Sequence, residues 1–210
     1  MHRSTLAAAM ALALAAVPLS FAASQPMQMP PPVTDPAQVA AGHYVVDAHH
    51  AALVVTVQHM GLAHSTFHFH KVDAAFDYDP AHPDASKVTA TIDANSFDQG
   101  DPKISADFAA QFLDAPNHPN ITFVSTGLHR TDATHGVLNG DLTIGGVTKP
   151  AALNVTFDGF RPAGGMGPAR MGFSANGLVR RSDFGIGAKM PAAIIGDVNV
   201  ILEIEFIKAA

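Results

Sequence analysis

The segment His59–His70 reads HMGLAHSTFHFH, four histidines in twelve residues, and seven of the chain's twelve histidines fall between His43 and His70. Neutral imidazole is a common metal ligand. His68 and His70 are two apart on an expected strand, so both side chains point to one side, as a metal-binding pair requires. His49, His50, His59 and His64 supply candidates for a third ligand. No H-E-x-x-H sequence and no consistent carboxylate partner accompanies them. Phe69 and Val72 both read as inward positions, yet their odd separation forbids a shared face on a regular strand. A bulge between them is expected, and it would turn His70 away from His68. The assignment is therefore no metal, with a His-rich exported metal-binding domain built on His68 and His70 as the alternative.

Nucleophilic chemistry has one candidate. Gly172-Phe173-Ser174-Ala175-Asn176-Gly177 misses the G-x-S-x-G elbow by one residue and lies in an alternating strand pattern, not at a strand–turn–helix junction. Gly164-Gly165-Met166-Gly167 is glycine-rich, but Pro162 and Pro168 mark it as a hairpin loop. A phosphate cradle would need a helix to follow. The chain has no cysteine, which removes disulfides, thiolate metal sites and a cysteine nucleophile. No catalytic residue and no cofactor is assigned, and the reading is not an enzyme; an exported hydrolase using Ser174 is the remaining alternative.

Address and charge narrow the class further. The 210-residue chain opens MHRSTL, follows with the apolar run AAAMALALAAV, and meets Pro18 and then Ser20-Phe21-Ala22. A basic start, an apolar stretch and small residues at the end make residues 1–22 a secretory signal, so the mature chain is expected to be exported. Without Arg3 the chain keeps 11 basic and 18 acidic residues, a net charge of −7. An acidic surface without a basic cluster argues against a nucleic-acid partner. Residues 25–36, QPMQMPPPVTDP, carry five prolines, and residues 23–42 read as a disordered linker ahead of a domain at 43–208.

The elements that must position any site are mostly strands. Leu53, Val55 and Val57 alternate with Val54, Thr56 and Gln58, and Val88, Ala90 and Ile92 alternate with threonines. Leu153, Val155 and Phe157, then Met171, Phe173 and Ala175, repeat the period, and Val198 to Phe206 gives the longest example. Gly145-Gly146 marks a tight turn. One segment differs. Asp101-Pro102 is a helix start, and Ile104, Phe108 and Phe112 recur at spacing four until Pro116, which predicts one amphipathic helix of about three turns. About eight strands and one helix make an all-β, antiparallel closed barrel or a sandwich, and an eight-stranded barrel can hold one small ligand.

Several stretches are shared with a known family. Tyr44-x-x-Asp47-x-x-His50, Gln58-His59-Met60-Gly61, Phe112-Leu113-Asp114-Ala115 and His118–Phe123 fit its pattern in order. So do Gly140–Pro150, Arg181-Ser182-Asp183-Phe184-Gly185 and Glu203-Ile204-Glu205. Across about Tyr44 to Phe206 the chain resembles the YceI-like family. That resemblance implies an eight-stranded lipocalin-like barrel in the bacterial periplasm, holding a polyisoprenoid or quinone-like lipid in its lumen for transport or storage. Ala51, Phe67 and Ala74 depart from the family pattern, which usually has serine, a small residue and glycine there.

On this reading Leu53, Val55, Val57, His59, Phe69, Val72, Phe76, Phe108, Phe123, Phe157, Phe173 and Phe184 line the lumen. His59 is expected to be hydrogen-bonded at its rim. Arg180, Arg181 and Lys189 are the candidates for meeting a polar head group. A transient membrane contact and a homodimer through an isolated strand edge are the remaining partner expectations.

Overall fold

Alternation with period two puts successive side chains on opposite faces of a strand, and nearly the whole domain is built this way. The computed structural model describes residues 29–165, 167–190 and 195–209. Its strands are β1 (Gly42–His59), β2 (Ala63–Phe69), β3 (Val72–Tyr78), β4 (Val88–Asp93), β5 (Phe97–Asp98), β6 (Asn120–Arg130), β7 (His135–Ile144), β8 (Val147–Arg161), β9 (Arg170–Val179) and β10 (Ile195–Lys208). One helix, α1 (Pro102–Leu113), lies between β5 and β6. Residues 29–31, the described part of a first unit, carry no regular structure, and the second unit runs over 32–210. The signal read at 1–22 and the start of the linker lie outside the described residues.

All strand pairings are antiparallel, and β10 pairs with β1 as well as with β9, which closes the sheet into a barrel. Ten strands make eight staves. β2 and β3 are one stave interrupted at His70–Lys71, and β5 is a two-residue extension that pairs only with β2. The early half of β1 pairs with β3 (Val45↔Ala75) and the later half with β2 (Val55↔Phe67). The barrel is thus the eight-stranded, lipocalin-like form expected, with its single helix, and not a sandwich.

The interruption is the irregularity expected between Phe69 and Val72. Ser96 clips it: the backbone N–H of His70 reaches Ser96 O at 3.2 Å and that of Lys71 reaches Ser96 Oγ at 3.1 Å. Its consequence differs from expectation. The His68 and His70 rings lie parallel, with centroids 6.1 Å apart, so His70 is not turned away.

The antiparallel order gives the barrel two ends. The hairpin end carries the β1–β2 turn, α1, the β7–β8 turn and the segment after β9. The N-terminal end carries residues 33–41 and the β3–β4, β6–β7 and β8–β9 loops. One buried cluster, including Leu53, Phe69, Ile121, Ile144 and Phe184, packs at the hairpin end. A second, including Tyr44, Phe76, Phe157, Met171 and Phe206, packs at the other.

The stretch read as linker ends earlier than position 42. Val33 and Phe160 exchange backbone hydrogen bonds at 2.9 and 2.8 Å, and Val39 is buried. Tyr44 Oη donates to Ala40 O and Tyr78 Oη to Pro36 O, at 2.8 and 2.9 Å. Extended backbone preset by the prolines therefore docks against the barrel, because the buried Tyr44 and the half-buried Tyr78 need acceptors.

The helix starts as predicted, with the Asp101 carboxylate accepting from Lys103 and Ile104 N–H. It ends at Leu113, where Asp114 takes a left-handed conformation, before Pro116 is reached. Its inner face is rotated from the predicted stripe: Ile104 is exposed, whereas Ser105 and Ala109 are buried. Ser105 Oγ accepts the Gln99 N–H at 3.0 Å, and this bond turns Ser105 inward.

Gly140 on β7 faces Phe123 of β6, and a Cβ there would overlap the Phe123 ring. Gly140→Ala should therefore destabilise the fold by about 1–3 kcal/mol. Thermal unfolding followed by circular dichroism tests this, with Gly164→Ala, which meets only open space, expected to be neutral.

Candidate functional site

Closure turns every inward face toward one axis, and the space left there is a cavity of about 830 Å³. Leu53, Val55 and Val57 of β1 stand beside Leu202, Val200 and Val198 of β10, in that order. Leu153, Val155 and Phe157 of β8 and Met171, Phe173 and Ala175 of β9 complete this wall. The lining is overwhelmingly apolar, and its volume lies in the upper part of the range of small-molecule sites, about 300–1,000 Å³.

Aromatic rings collect at both ends. At the hairpin end Phe67 packs on Phe97 at 5.0 Å and on Phe108 at 6.5 Å between centroids, and Phe108 packs edge-on against Phe112. At the other end Phe76 contacts Tyr44, Tyr78, Phe173 and Phe206. Phe67, the departure from the family pattern, thus narrows the lumen beneath the β1–β2 turn.

The structure brings eleven of the twelve lumen candidates onto this wall: Leu53, Val55, Val57, His59, Phe69, Val72, Phe76, Phe108, Phe123, Phe157 and Phe173. Phe184 is not among them. It lies in the 3-10 turn Arg181–Phe184, whose C-cap Gly185 has a positive φ of 71°, and this turn drives its ring into the packed cluster at the hairpin end. His59 lies at the rim as expected, but its ring makes no hydrogen bond to a described residue.

Of the head-group candidates only Arg181 lines the cavity. It is 7% exposed, and its Nη1 donates to Ile186 O at 2.7 Å, which ties down the turn it belongs to. Arg180 and Lys189 are exposed and off the wall. Sequence reasoning missed the polar residues at the opposite end, Tyr78, Ser86, Arg130, Thr134 and His135. Tyr78 ends β3 and Ser86 lies in the β3–β4 loop, Arg130, Thr134 and His135 belong to the β6–β7 hairpin, and no motif links the two segments. There Asp132 accepts the backbone N–H of Thr134 and binds the His135 ring, and these bonds hold its carboxyl down to about 2.

Two other constellations lie on the outer surface. His68 and His70 are exposed, His70 Nε2 is 3.0 Å from Asp98 Oδ2, and among the described residues no third ligand converges on the pair. Metal-ligating atoms converge instead at Asp47, His50 and Glu205, all within 4.8 Å of one another. Residues 47–50 form a bulge, since Val46 pairs with Phe206 and Ala51 with Ile204, leaving four residues of β1 opposite Glu205. Arg170 Nη1 already sits 2.8 Å from Glu205 and 3.6 Å from Asp47, so a guanidinium bridges this pair of carboxylates and pins the bulge to β9 and β10. Ser174 is in mid-strand on β9 and donates to Asp158 Oδ1 at 3.2 Å.

Residues 44–206 match the YceI-like domain, essentially the whole barrel. The chain belongs to the YceI-like family. Proteins designated UPF0312 from Azotobacter vinelandii and Pseudomonas syringae pv. tomato are each 33% identical to it, over 180 and 175 residues. These alignments cover 81% and 79% of this chain and 90% and 88% of the relatives. Among solved structures, Burkholderia cenocepacia BcnA superposes with a TM-score of 0.65 at 25% identity, covering 76% of this chain and 98% of BcnA. The Campylobacter jejuni YceI protein gives 0.65 at 27% identity, covering 73% and 90%. A polyisoprenoid-binding domain from Saccharophagus degradans shares the fold, with a TM-score of 0.56 at 13% identity over 81% of this chain and all of that one. The Tyr44-x-x-Asp47-x-x-His50 segment of this YceI-like chain is the segment that carries the pinned bulge.

The bulge has a pH signature. A hydrogen bond with His50, then the His49 N–H, holds the Asp47 carboxyl below its ordinary value of 3.8. Its folded value is depressed, so its contribution is complete above the unfolded value and lost as pH falls through the folded one. Asp47→Asn should therefore flatten the acid limb of stability below about pH 4, measured by denaturant unfolding across pH.

Proposed function

We propose that this chain is an exported, periplasmic binding protein that holds a polyisoprenoid or quinone-like lipid in its barrel lumen, for transport or storage, and that it is not an enzyme. The observation that carries this reading is the apolar cavity of about 830 Å³ running between two aromatic clusters. Membership of the YceI-like family and the shared fold with a polyisoprenoid-binding domain support it. The sequence of residues 1–22 supports export.

The energetics suit a flexible hydrocarbon. Burying ten carbons of a prenyl chain contributes about 8 kcal/mol at ~0.8 kcal/mol per CH₂. Before ordering costs this corresponds to roughly micromolar affinity, so even partial burial of a long chain suffices. A wall of Val, Leu and Phe offers no directional bonds and selects by length and shape.

Native mass spectrometry of protein purified from its own host should show a bound apolar species of a mass expected for a prenyl lipid. Ala175→Phe and Ala151→Phe place rings in the lumen and should abolish that species while the proteins stay folded. A wild-type barrel that is empty and takes up no prenyl lipid would sink the proposal. Phe67→Ala removes the ring that narrows the hairpin end and should shift the bound population toward longer chains, read from the same spectra.

A further inference from the structure

The apolar lumen leaves unexplained the polar groups at its N-terminal end. Ser86 follows the 3-10 turn Pro83–Ala85 and lines the cavity. Its hydroxyl oxygen is buried with no hydrogen-bond partner among the described residues. A buried hydroxyl left unpaired is costly and uncommon, so Ser86 is placed to bond whatever polar atom occupies this end of the cavity, a water in the empty protein or a ligand atom in the loaded one.

Three more polar residues reach the same end through the β6–β7 hairpin. Arg130 stands across from Gly136 in the register, next to His135, and both line the cavity with Thr134. Arg130 Nη2 donates to Ala133 O at 3.1 Å, which positions a guanidinium that has further N–H donors. His135 Nδ1 lies 2.9 Å from both oxygens of the ionised Asp132. That contact assigns the proton to Nδ1 in the neutral ring and leaves Nε2 as an acceptor. The Tyr78 hydroxyl donates to Pro36 O and keeps its own oxygen as an acceptor.

Charge decides what kind of head group fits. Arg130 is the cation on this part of the wall, and Lys87, next to Ser86, is exposed and off it. Asp35 and Asp79 act on the adjoining Tyr78 against Arg130, and Asp132 is bonded to His135. Counted on one footing, Arg130 and Lys87 are two cations among the three exposed carboxylates Asp35, Asp79 and Asp132, a net negative surround that disfavours a diphosphate. Hydrogen-bond donors and acceptors side by side favour a group that both gives and takes. The hairpin end also brings polar side chains to the cavity, Gln58, His59, Ser65, Thr66, Gln99 and Arg181, but Arg181 is bonded to Ile186 O and, among the described residues, Ser86 alone has a buried side-chain polar atom without a partner.

Resting on the lipid-binding reading above, we propose that Ser86, Arg130 and His135 form a head-group subsite for a neutral hydroxyl or carbonyl on a prenyl chain, with the tail directed toward the hairpin end. The polar anchor is thus at the opposite end of the barrel from Arg180, Arg181 and Lys189.

The test uses displacement of a lumen-bound fluorescent dye by geranylgeraniol, by its diphosphate and by the hydrocarbon squalene. Wild-type protein should bind the alcohol more tightly than the diphosphate. Ser86→Ala and Arg130→Gln should each weaken the alcohol about three- to tenfold, the size of one hydrogen bond, and leave squalene unchanged. Ser86→Ala should also raise the Tm of the empty protein, because it removes a buried hydroxyl that no described residue bonds; a side chain with only a structural role would lower it. Unchanged alcohol binding in both variants, with squalene still bound, overturns the subsite and leaves the lipid reading standing. Tighter binding of the diphosphate overturns the neutral head group. If the wild-type protein binds neither alcohol nor squalene, the lipid reading fails and the subsite with it.

Discussion

The pairing of β1 with β10 holds the rest of the molecule in place. An open antiparallel sheet has two exposed edges and one dry face that must find a cover. Here the first long strand and the last meet over Leu53–Val57 and Val198–Leu202, so the sheet covers its own dry face. Inward side chains from eight staves then converge on a common axis. With eight staves the circumference is just wide enough for those side chains to leave space between them. Closure and stave number thus set the diameter, and small inward residues such as Ala151 and Ala175 leave part of it open.

Two of the barrel's irregularities lie on neighbouring staves. β1 must change partner from β3 to β2 along its length, and the register break at Asp47–His50 lies between the two pairings. The adjacent stave breaks at His70–Lys71. Each break is satisfied by polar groups from a distant part of the chain. Arg170 bridges Glu205 and Asp47 at the first, and the backbone and hydroxyl of Ser96 take the free N–H groups at the second. A bulge left without such partners would expose unpaired backbone groups inside the barrel wall.

Most of the wall was legible in the sequence because a strand writes its orientation into alternate residues. Val55, Phe157 and Phe173 are inward by their neighbours alone, and the odd separation of Phe69 and Val72 requires a break between them. The helix start was equally plain from Asp101-Pro102, yet its rotation was not. Ile104 lost its place to Ser105 because a single hydrogen bond to the Gln99 backbone outweighed the apolar stripe. Phe184 was misassigned for a similar reason, since a 3-10 turn and not a strand carries it. Pro-rich composition likewise concealed that residues 33–41 dock, because the hydroxyl groups that hold them belong to Tyr44 and Tyr78 on other elements.

By itself the sequence determined an all-β domain of alternating strands, the single helix, the tight turn at Gly145-Gly146 and most of the residues that face inward. These are local properties, fixed by side-chain periodicity and turn chemistry within a few residues. Only the tertiary structure decided which outer residues meet across the barrel, so among the described residues no third ligand joins His68 and His70, while Asp47, His50, Arg170 and Glu205 came together from three strands. It also decided where the lumen is polar. Ser86 lies more than forty residues before the hairpin that carries Arg130 and His135, and nothing in that spacing announces that barrel closure brings the two loops to one end of the same cavity.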